Sequence, residues 1–413
     1  MNHTDPILQK IARFSPQDIL LADVAIRIQL SPTEYLAAIK HFETMAEWID
    51  RRGSPLEGRV SGFYPQGGFS TGSVISSHSD RTEFDLDAMA QIDWTHNIDP
   101  EYALLTTHEA VAAEKGSRYH DKAERKTRCT QIQYDGMHLD VTPAVLIASR
   151  DPKTSLIFHS KPSDPTVRKQ ALYANPFGLA EWFNGRTKAD VAFGTYFEQA
   201  SLDFSRSRIV AKADATPVPA QLPAYRKSRQ VITLQLIKRW RNVAYDRRHR
   251  SLRLPPSVLL TYYVGEHTGS ERSLLDELIH HVNSIILVLE SAAAFGQLIH
   301  EANPTCDEDI LTDRWPGNLA DQKIFLAELH VFAGKLDRLK KGTSLDQMRT
   351  ILEDLFGETP ARDAMAAFRQ RHVDDNAAGK GLYLPRIGAV PALGSAAVPL
   401  TAKAVPYSTP FGD

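Results

Sequence analysis

Apolar and polar positions alternate most cleanly over residues 84–93, where Phe84, Leu86, Ala88 and Ala90 fall on one side and Asp85 and Asp87 on the other. A period of two predicts an extended strand with one buried face. Residues 60–64 predict a shorter strand ahead of it. Residues 130–141 predict a hairpin, with Asp135-Gly136 supplying the two positive backbone angles of a type I′ turn. The period lengthens after Ser31-Pro32-Thr33-Glu34, a capping box with proline at the first helical position. Tyr35, Ile39, Phe42, Met45, Ala46 and Ile49 then predict one buried side of a long helix that ends near Arg51-Arg52-Gly53. Beyond a proline-bearing connector at 212–223 the pattern is helical. Ile232, Leu236, Trp240 and Val243 form an apolar stripe that leaves Lys238 on the opposite side, and helices follow over 274–299 and 323–339. Ser344-Leu345-Asp346-Gln347 is a second capping box, opening a short helix that Gly357 closes.

Length and composition narrow the picture. A chain of 413 residues predicts two lobes around more than one core. The formal charge of -2 argues against a broad basic face for duplex DNA. Cys129 and Cys306, the two cysteines, lie far apart and outside any metal-binding spacing, so neither a disulfide framework nor a zinc module is expected. No apolar run reaches the roughly twenty residues that span a bilayer, and the first ten residues have no signal-peptide core. The expected location is the cytoplasm. After Gly379 the composition turns to alanine, proline, glycine and valine, which predicts a tail unable to order itself.

The chemistry follows from what the strands would carry. Asp85 and Asp87 stand on one face, and two neighbouring carboxylates repel unless a cation lies between them. Gln66-Gly67-Gly68-Phe69-Ser70-Thr71-Gly72-Ser73 precedes them; without side chains at Gly67 and Gly68, backbone amides can approach phosphate oxygens closely. Asp140, on the predicted hairpin, is the best available third carboxylate. Hard magnesium ions prefer such oxygens, and a pair of divalent ions suits the transfer of a nucleotidyl unit with release of pyrophosphate. The basic stretch 115–128 is read either as a solvated loop or as a phosphate contact. His280-His281, about a hundred degrees apart on a helix, are read as packing or surface residues. Trp94 and Trp182 fill the core or stack on a base; His78 is read as a loop residue.

These residues together resemble the nucleotidyltransferase core of the polymerase-beta superfamily, and specifically the bacterial cGAS/DncV-like nucleotidyltransferases, or CD-NTases. The glycine turn, the acidic pair, His138-Leu139-Asp140-Val141-Thr142-Pro143 and the segment from Asn175 to Phe183 carry the likeness. Relatives usually have glycine-serine where this chain has Gly67-Gly68, so that phosphate contact falls to a backbone amide or to Ser73. The resemblance implies an α+β fold, with a bilobed core of mixed sheet and helices and a helical C-terminal lobe. Expected boundaries are 1–215, 216–378 and a tail from 379 to 413. It also implies that Lys238 and Ser257 contact the donor triphosphate; read from the residues alone, they are a solvated lysine and an N-cap.

The activity implied is synthesis of a cyclic oligonucleotide from ribonucleoside triphosphates, ATP among them, for bacterial antiphage signalling through a separate effector. Asp85, Asp87 and Asp140 would hold two Mg2+ ions, with Mn2+ as a substitute, and Gln66, Gly67, Gly68 and Ser73 would cradle phosphates. In some relatives the C terminus is conjugated to other molecules, and the Pro/Ala-rich stretch 389–413 suits such a partner. Two other readings stay open: a transferase acting on RNA ends, a protein or a small molecule, and a silent nucleotide-binding scaffold.

Overall fold

The computed structural model describes residues 14–76, 84–150, 153–163, 169–187, 193–195, 197, 200–201, 204, 228–268, 272–342 and 344–377, with three short strands beyond. The first ten residues, His78, most of the polar join at 76–82 and the connector at 212–223 lie outside the described residues.

Helix α1 (Pro16–Arg27) opens at Ser15, whose hydroxyl and Asp18 cap each other reciprocally, and is buried along its whole length. Helix α2 (Pro32–Ile49) starts from the expected box, with Ser31 and Glu34 satisfying each other's amides, and stops at Asp50. Strand β1 (Val60–Gln66) then runs into a single helical turn, α3 (Gly67–Ser70). The sheet continues with β2 (Phe84–Ile92), β3 (Ala123–Arg125), β4 (Thr130–Tyr134), β5 (Met137–Leu146), β6 (Ser155–His159) and β7 (Gln170–Ala174). Its order is β1-β2-β5-β4-β3, with β6 pairing both β5 and β7. All of its pairings are antiparallel except β2 with β5, which run parallel and place Asp87 directly opposite Asp140. Helix α4 (Pro100–Ala112) sits between β2 and β3 in the chain and packs on the sheet.

The alternation in β2 does what its pattern predicts: Phe84, Leu86, Ala88 and Ala90 are buried with Met45, Ile49, Ile132, Leu139 and Val141 in one core. The hairpin between β4 and β5 forms with Tyr134 opposite Met137. Its turn is not type I′. Gly136 alone takes a positive φ, +74°, and Asp135 does not, because a non-glycine residue avoids the left-handed region when one glycine suffices to reverse the chain.

Further along the chain come helices α5 (Pro176–Arg186), α6 (Arg229–Arg248), α7 (Ser257–Glu266), α8 (Leu274–Ala294), α9 (Leu319–Lys340), α10 (Leu345–Phe356) and α11 (Glu358–Ala377). Ser344 and Gln347 form the second capping box and Gly357, at φ +95°, ends α10. Helices α6 to α11 share a large core that also contains Ile19 to Ile28, so α1 belongs by packing to the helical side although the chain passes from it into the sheet. Instead of showing one apolar stripe, α6 is buried nearly all round from Gln230 to Arg241, as befits a helix at the centre of the cluster.

A two-stranded hairpin, β8 (Ala302–Asn303) with β9 (Cys306–Ile310), joins the two halves. Buried Asn303 donates to the Asn175 carbonyl (2.9 Å) and to Asp309 Oδ2 (2.8 Å), and accepts from the Thr305 amide and hydroxyl. Past Gly379, short strands over Leu382–Leu384, Gly388–Val390 and Lys403–Ala404 pair antiparallel where composition predicts no order; the rest of that stretch lies outside the described residues. Among the described residues no helix is long and apolar enough to cross a membrane.

Candidate active site

The glycine segment is a tight helical turn, and its two glycines are there for different reasons. Gly67 has φ +62°, and a Cβ on it would stand 2.8 Å from Asp87 Oδ2. Gly68 has an ordinary φ, but its Cβ would meet the Val74 backbone at 3.1–3.2 Å. The turn closes on itself: the Ser73 amide donates to the Gly68 carbonyl (2.8 Å) and the Ser70 hydroxyl to the Gly67 carbonyl (2.9 Å). Gln66 lies opposite Asp87 in the β1–β2 register. The glycine turn and the acidic strand are thus packed against each other without intervening side chains.

Parallel pairing of β2 and β5 brings the three aspartates together. Asp85 is exposed, whereas Asp87 and Asp140 are partly buried. Burial, reinforced by the neighbouring charges of Asp140 and Asp85 and opposed by Lys238, pushes the Asp87 carboxyl up to about 8. Burial also raises Asp140, against the bonds it accepts from Gln131 and Cys129. Those bonds are Gln131 Nε2 to Oδ1 at 2.9 Å and Cys129 Sγ to Oδ2 at 3.4 Å. Asp85 Oδ1 lies 3.4 Å from His138 Nδ1, whose Nε2 faces Gln133 Oε1 at 2.9 Å. Asp140 and Asp85 are therefore tied to their neighbours, and among the described residues no three carboxylate, thiol or imidazole groups are drawn into one tight cage. The donor set still fits a divalent cation: its oxygens are hard, and the repulsion that raises Asp87 is what such an ion removes.

Lys238 is not the solvated residue that a single apolar stripe implies. It is 4% exposed, and its ammonium donates to Ser73 Oγ at 2.7 Å and to the Ser73 carbonyl at 3.3 Å. Ser73, fully buried, also shares a 2.7 Å bond with the Thr71 hydroxyl. Gln235, one turn earlier on α6, donates to the Val74 carbonyl at 2.8 Å. Helix α6 thus grips the end of the glycine segment. Ser257 is the exposed first residue of α7, after Pro256 in the cap position; its Oγ accepts from Arg241 Nη1 at 3.1 Å.

Beside Asp140 lies a cavity of about 470 Å³ lined by Lys126, Arg128, Cys129, Gln131 and Arg314 among others. The basic stretch 115–128 is therefore divided: a 3-10 turn at His120–Lys122 and strand β3 take its middle, while Lys126 and Arg128 face this cavity. Arg128 pairs with Asp313 across to the helical side. Trp94 packs edge-on against Phe158, and Trp182 stacks on Tyr262 at 6.0 Å. His281 is buried against Glu277 at 3.0 Å, a packing role. Sequence reasoning did not single out Gln131, Cys129, Arg241 or Arg314 for the site. Hairpin register alone places Gln131 opposite Asp140, and three-residue spacing places Arg241 beside Lys238. Nothing local marks Arg314, which arrives from a segment more than 170 residues downstream of Asp140.

Known proteins resemble this chain in sequence and fold. Residues 61–143, from β1 to β5, match the family model described as cyclic GMP-AMP synthase DncV-like, nucleotidyltransferase domain. The cyclic dinucleotide synthase CdnG of Bradyrhizobium diazoefficiens is 33% identical over 403 residues, covering 94% of each chain. The structure of that organism's CD-NTase CdnG in complex with GTP superimposes with a TM-score of 0.73 at 31% identity, covering 85% of this chain and 98% of that one. The Vibrio cholerae di-nucleotide cyclase DncV, solved with GTP and 5MTHFGLU2, is 12% identical with a TM-score of 0.50 over 87% of this chain and 89% of that one, a likeness of fold alone. Identity of one in three across nearly the whole length, on the same α+β scaffold, establishes the lineage: the chain is a nucleotidyltransferase and belongs to the CD-NTase family.

Proposed function

We propose that this chain makes a cyclic dinucleotide from ribonucleoside triphosphates by two successive nucleotidyl transfers in one site. The observation that carries the reading is the register of Asp87 with Asp140 on parallel strands, directly against the Gly67 turn and within reach of the Lys238 charge. A silent binding module has no use for a carboxyl that burial and two neighbouring carboxylates raise in this way. In this reading Asp85 and Asp87 hold two Mg2+ ions, for which Mn2+ can substitute, and Asp140 completes the shell of one. Bound there, such ions neutralise charge on the attacking and leaving oxygens and acidify the acceptor hydroxyl.

The chain's own groups do the rest. Amides of Gly67 and Gly68, with no side chain in the way, receive phosphate oxygens of the donor, and the Ser73 hydroxyl, oriented by Thr71 and Lys238, lies beside them. Ser257, at the start of α7, faces the same anion with the free amides of that helix turn. The acceptor enters the basic cavity beside Asp140, and the linear product turns round there for the second transfer. That CdnG was solved with GTP supports a purine triphosphate among the substrates, with ATP as the expected second. The segments 1–215 and 216–378 are the two catalytic lobes of this reading, with α1 crossing to the second. Its setting is cytoplasmic antiphage signalling, in which the product activates a separate effector and the stretch from 379 serves as a conjugation or regulatory arm.

The test is incubation with all four labelled ribonucleoside triphosphates and Mg2+, with no added acceptor, and mass spectrometry of the product. A phosphatase-resistant dinucleotide that disappears in Asp87→Asn is expected. Pyrophosphate release only upon addition of RNA, protein or a small alcohol would replace this reading with transfer to an external acceptor. No release under any condition would leave a scaffold.

A further inference from the structure

Arg241 is a buried cation without a buried anion to match it. It lies on α6 one turn beyond Lys238, and only 7% of it is exposed. Its guanidinium donates to the Pro255 carbonyl (2.6 Å), to Ser257 Oγ (3.1 Å) and, through Nε and Nη2, to Asn242 Oδ1 (3.1 and 2.8 Å). All of these acceptors are neutral, and among the described residues no carboxylate lies within salt-bridge distance of it. Other buried charges among those helices are settled differently: Asp23 lies between Arg27 and Arg371, Glu277 lies between His281 and Arg272, and Arg239, also without a carboxylate partner, donates to the Phe356 carbonyl at the end of α10. Desolvation draws Arg241 down to about 10, opposed first by Tyr245 and then by Asp85, a carboxylate of the site.

A guanidinium taken out of water without a counter-ion is expensive even when neutral acceptors receive its donors. Its bonds show where it acts. They tie α6, which carries Lys238, to the residues that begin α7, where unpaired amides and Ser257 are presented.

We propose that Arg241 is a positioning residue of the transfer reaction, setting Ser257 and the first turn of α7 against the donor's phosphates, which act as its counter-ion. The inference rests on the donor site assigned above. It differs from a structural strut in one respect: a strut stabilises the free protein, whereas this residue contributes when a polyphosphate is bound.

The experiment compares wild type, Arg241→Met, Arg241→Lys and Ser257→Ala. Melting is followed with and without saturating α,β-methylene-GTP and Mg2+, and KM and kcat are followed by pyrophosphate release. Arg241→Met is expected to melt within a few degrees of wild type when free, to lose most of the nucleotide-induced rise in Tm, and to raise KM by tenfold or more. Arg241→Lys, keeping charge but not the two-pronged geometry, is expected to fall between. Adding Ser257→Ala to Arg241→Met should worsen KM by less than the product of the single effects, since one residue acts through the other. A nucleotide-induced rise and KM unchanged in Arg241→Met, with the free protein melting well below wild type, would make Arg241 a strut and overturn the proposal. Should Arg241→Met fail to fold, Arg241→Lys with wild-type KM and wild-type Tm rise overturns it equally. If wild type itself shows neither a rise nor product, the donor site is misassigned and the inference falls with it.

Discussion

Gly67→Ala asks whether the close approach of the turn to Asp87 matters for chemistry or only for folding. Two effects superimpose. The first is backbone strain: at φ +62° an alanine adopts the left-handed region at a cost of about 1–2 kcal/mol. The second is steric. The new Cβ would lie 2.8 Å from Asp87 Oδ2, and ordinary contact begins at 3.4 Å, so the oxygen must move by the difference, 0.6 Å. Metal distances tolerate roughly 0.2 Å, and misplacement on the order of 1 Å can cost about a hundredfold in rate. Gly58→Ala isolates the first effect, because Gly58 has φ +67° and nothing within 4 Å of its Cβ position. At an unfolding entropy of about 2.1 cal/mol/K per residue, each kcal/mol moves the Tm of a chain of 413 residues by only about 1 °C, so both variants are expected to melt about 1–2 °C low. Only Gly67→Ala should lose turnover, by about tenfold to a hundredfold, measured as pyrophosphate release at a temperature where both are folded. If the two variants turn over within threefold of each other, the contact between Gly67 and Asp87 has no catalytic meaning and the reasoning fails.

Three further outcomes follow. Asp87 is raised to about 8, so the folded metal-free protein holds a proton that the unfolded chain releases near 3.8; the stabilisation is complete below about 3.8 and is lost as pH climbs through 8. Urea melts in EDTA should therefore show stability falling between pH 5 and 8.5, and Mg2+ binding near pH 7 should release close to one proton in calorimetry repeated in buffers of different ionisation enthalpy; release of none would contradict the shift. For the Lys238–Ser73 bond, a double-mutant cycle with Lys238→Met and Ser73→Ala should give a coupling of roughly 1–3 kcal/mol, and one below about 0.3 would mean that the two lobes are not joined there. Asn303→Ala strands buried partners at Asn175 and Asp309 and should lose about 2–3 kcal/mol by urea denaturation, with turnover retained at low temperature; a loss under about 0.5 would mean that the β8–β9 hairpin does not hold the two halves together through Asn303.

What was legible in the sequence was whatever depends on near neighbours. Alternation placed β2, a Ser-x-x-Glu box placed the start of α2, and the hairpin around Gly136 placed Asp140 on its strand. Parallel pairing of β2 and β5, which sets Asp87 across from Asp140, joins segments about fifty residues apart and leaves no local trace. The same holds for Lys238: a stripe through Ile232, Leu236 and Trp240 identifies one buried face, but says nothing of a second face covered by the glycine segment. Helix α1 went unread although Ser15-Pro16-Gln17-Asp18 is itself a capping box, because its apolar residues have no single-sided period and the helix is buried all round. The turn at Gly67 was legible as glycine-dependent but not as helical, since two adjacent glycines permit many backbone paths.

The seating of α1 has a consequence for how the molecule is made. Asp23 pairs with Arg371, Asp18 accepts from the Leu275 amide at 2.9 Å, and Gln17 donates to the Leu339 carbonyl. The first helix described in the chain therefore has as partners some of the last residues described. During translation the sheet can close on itself once β7 has emerged, while α1 must wait, with its apolar surface uncovered, for roughly two hundred more residues. At bacterial elongation rates that interval is on the order of ten seconds or more, long enough for a chaperone to be the helix's first companion.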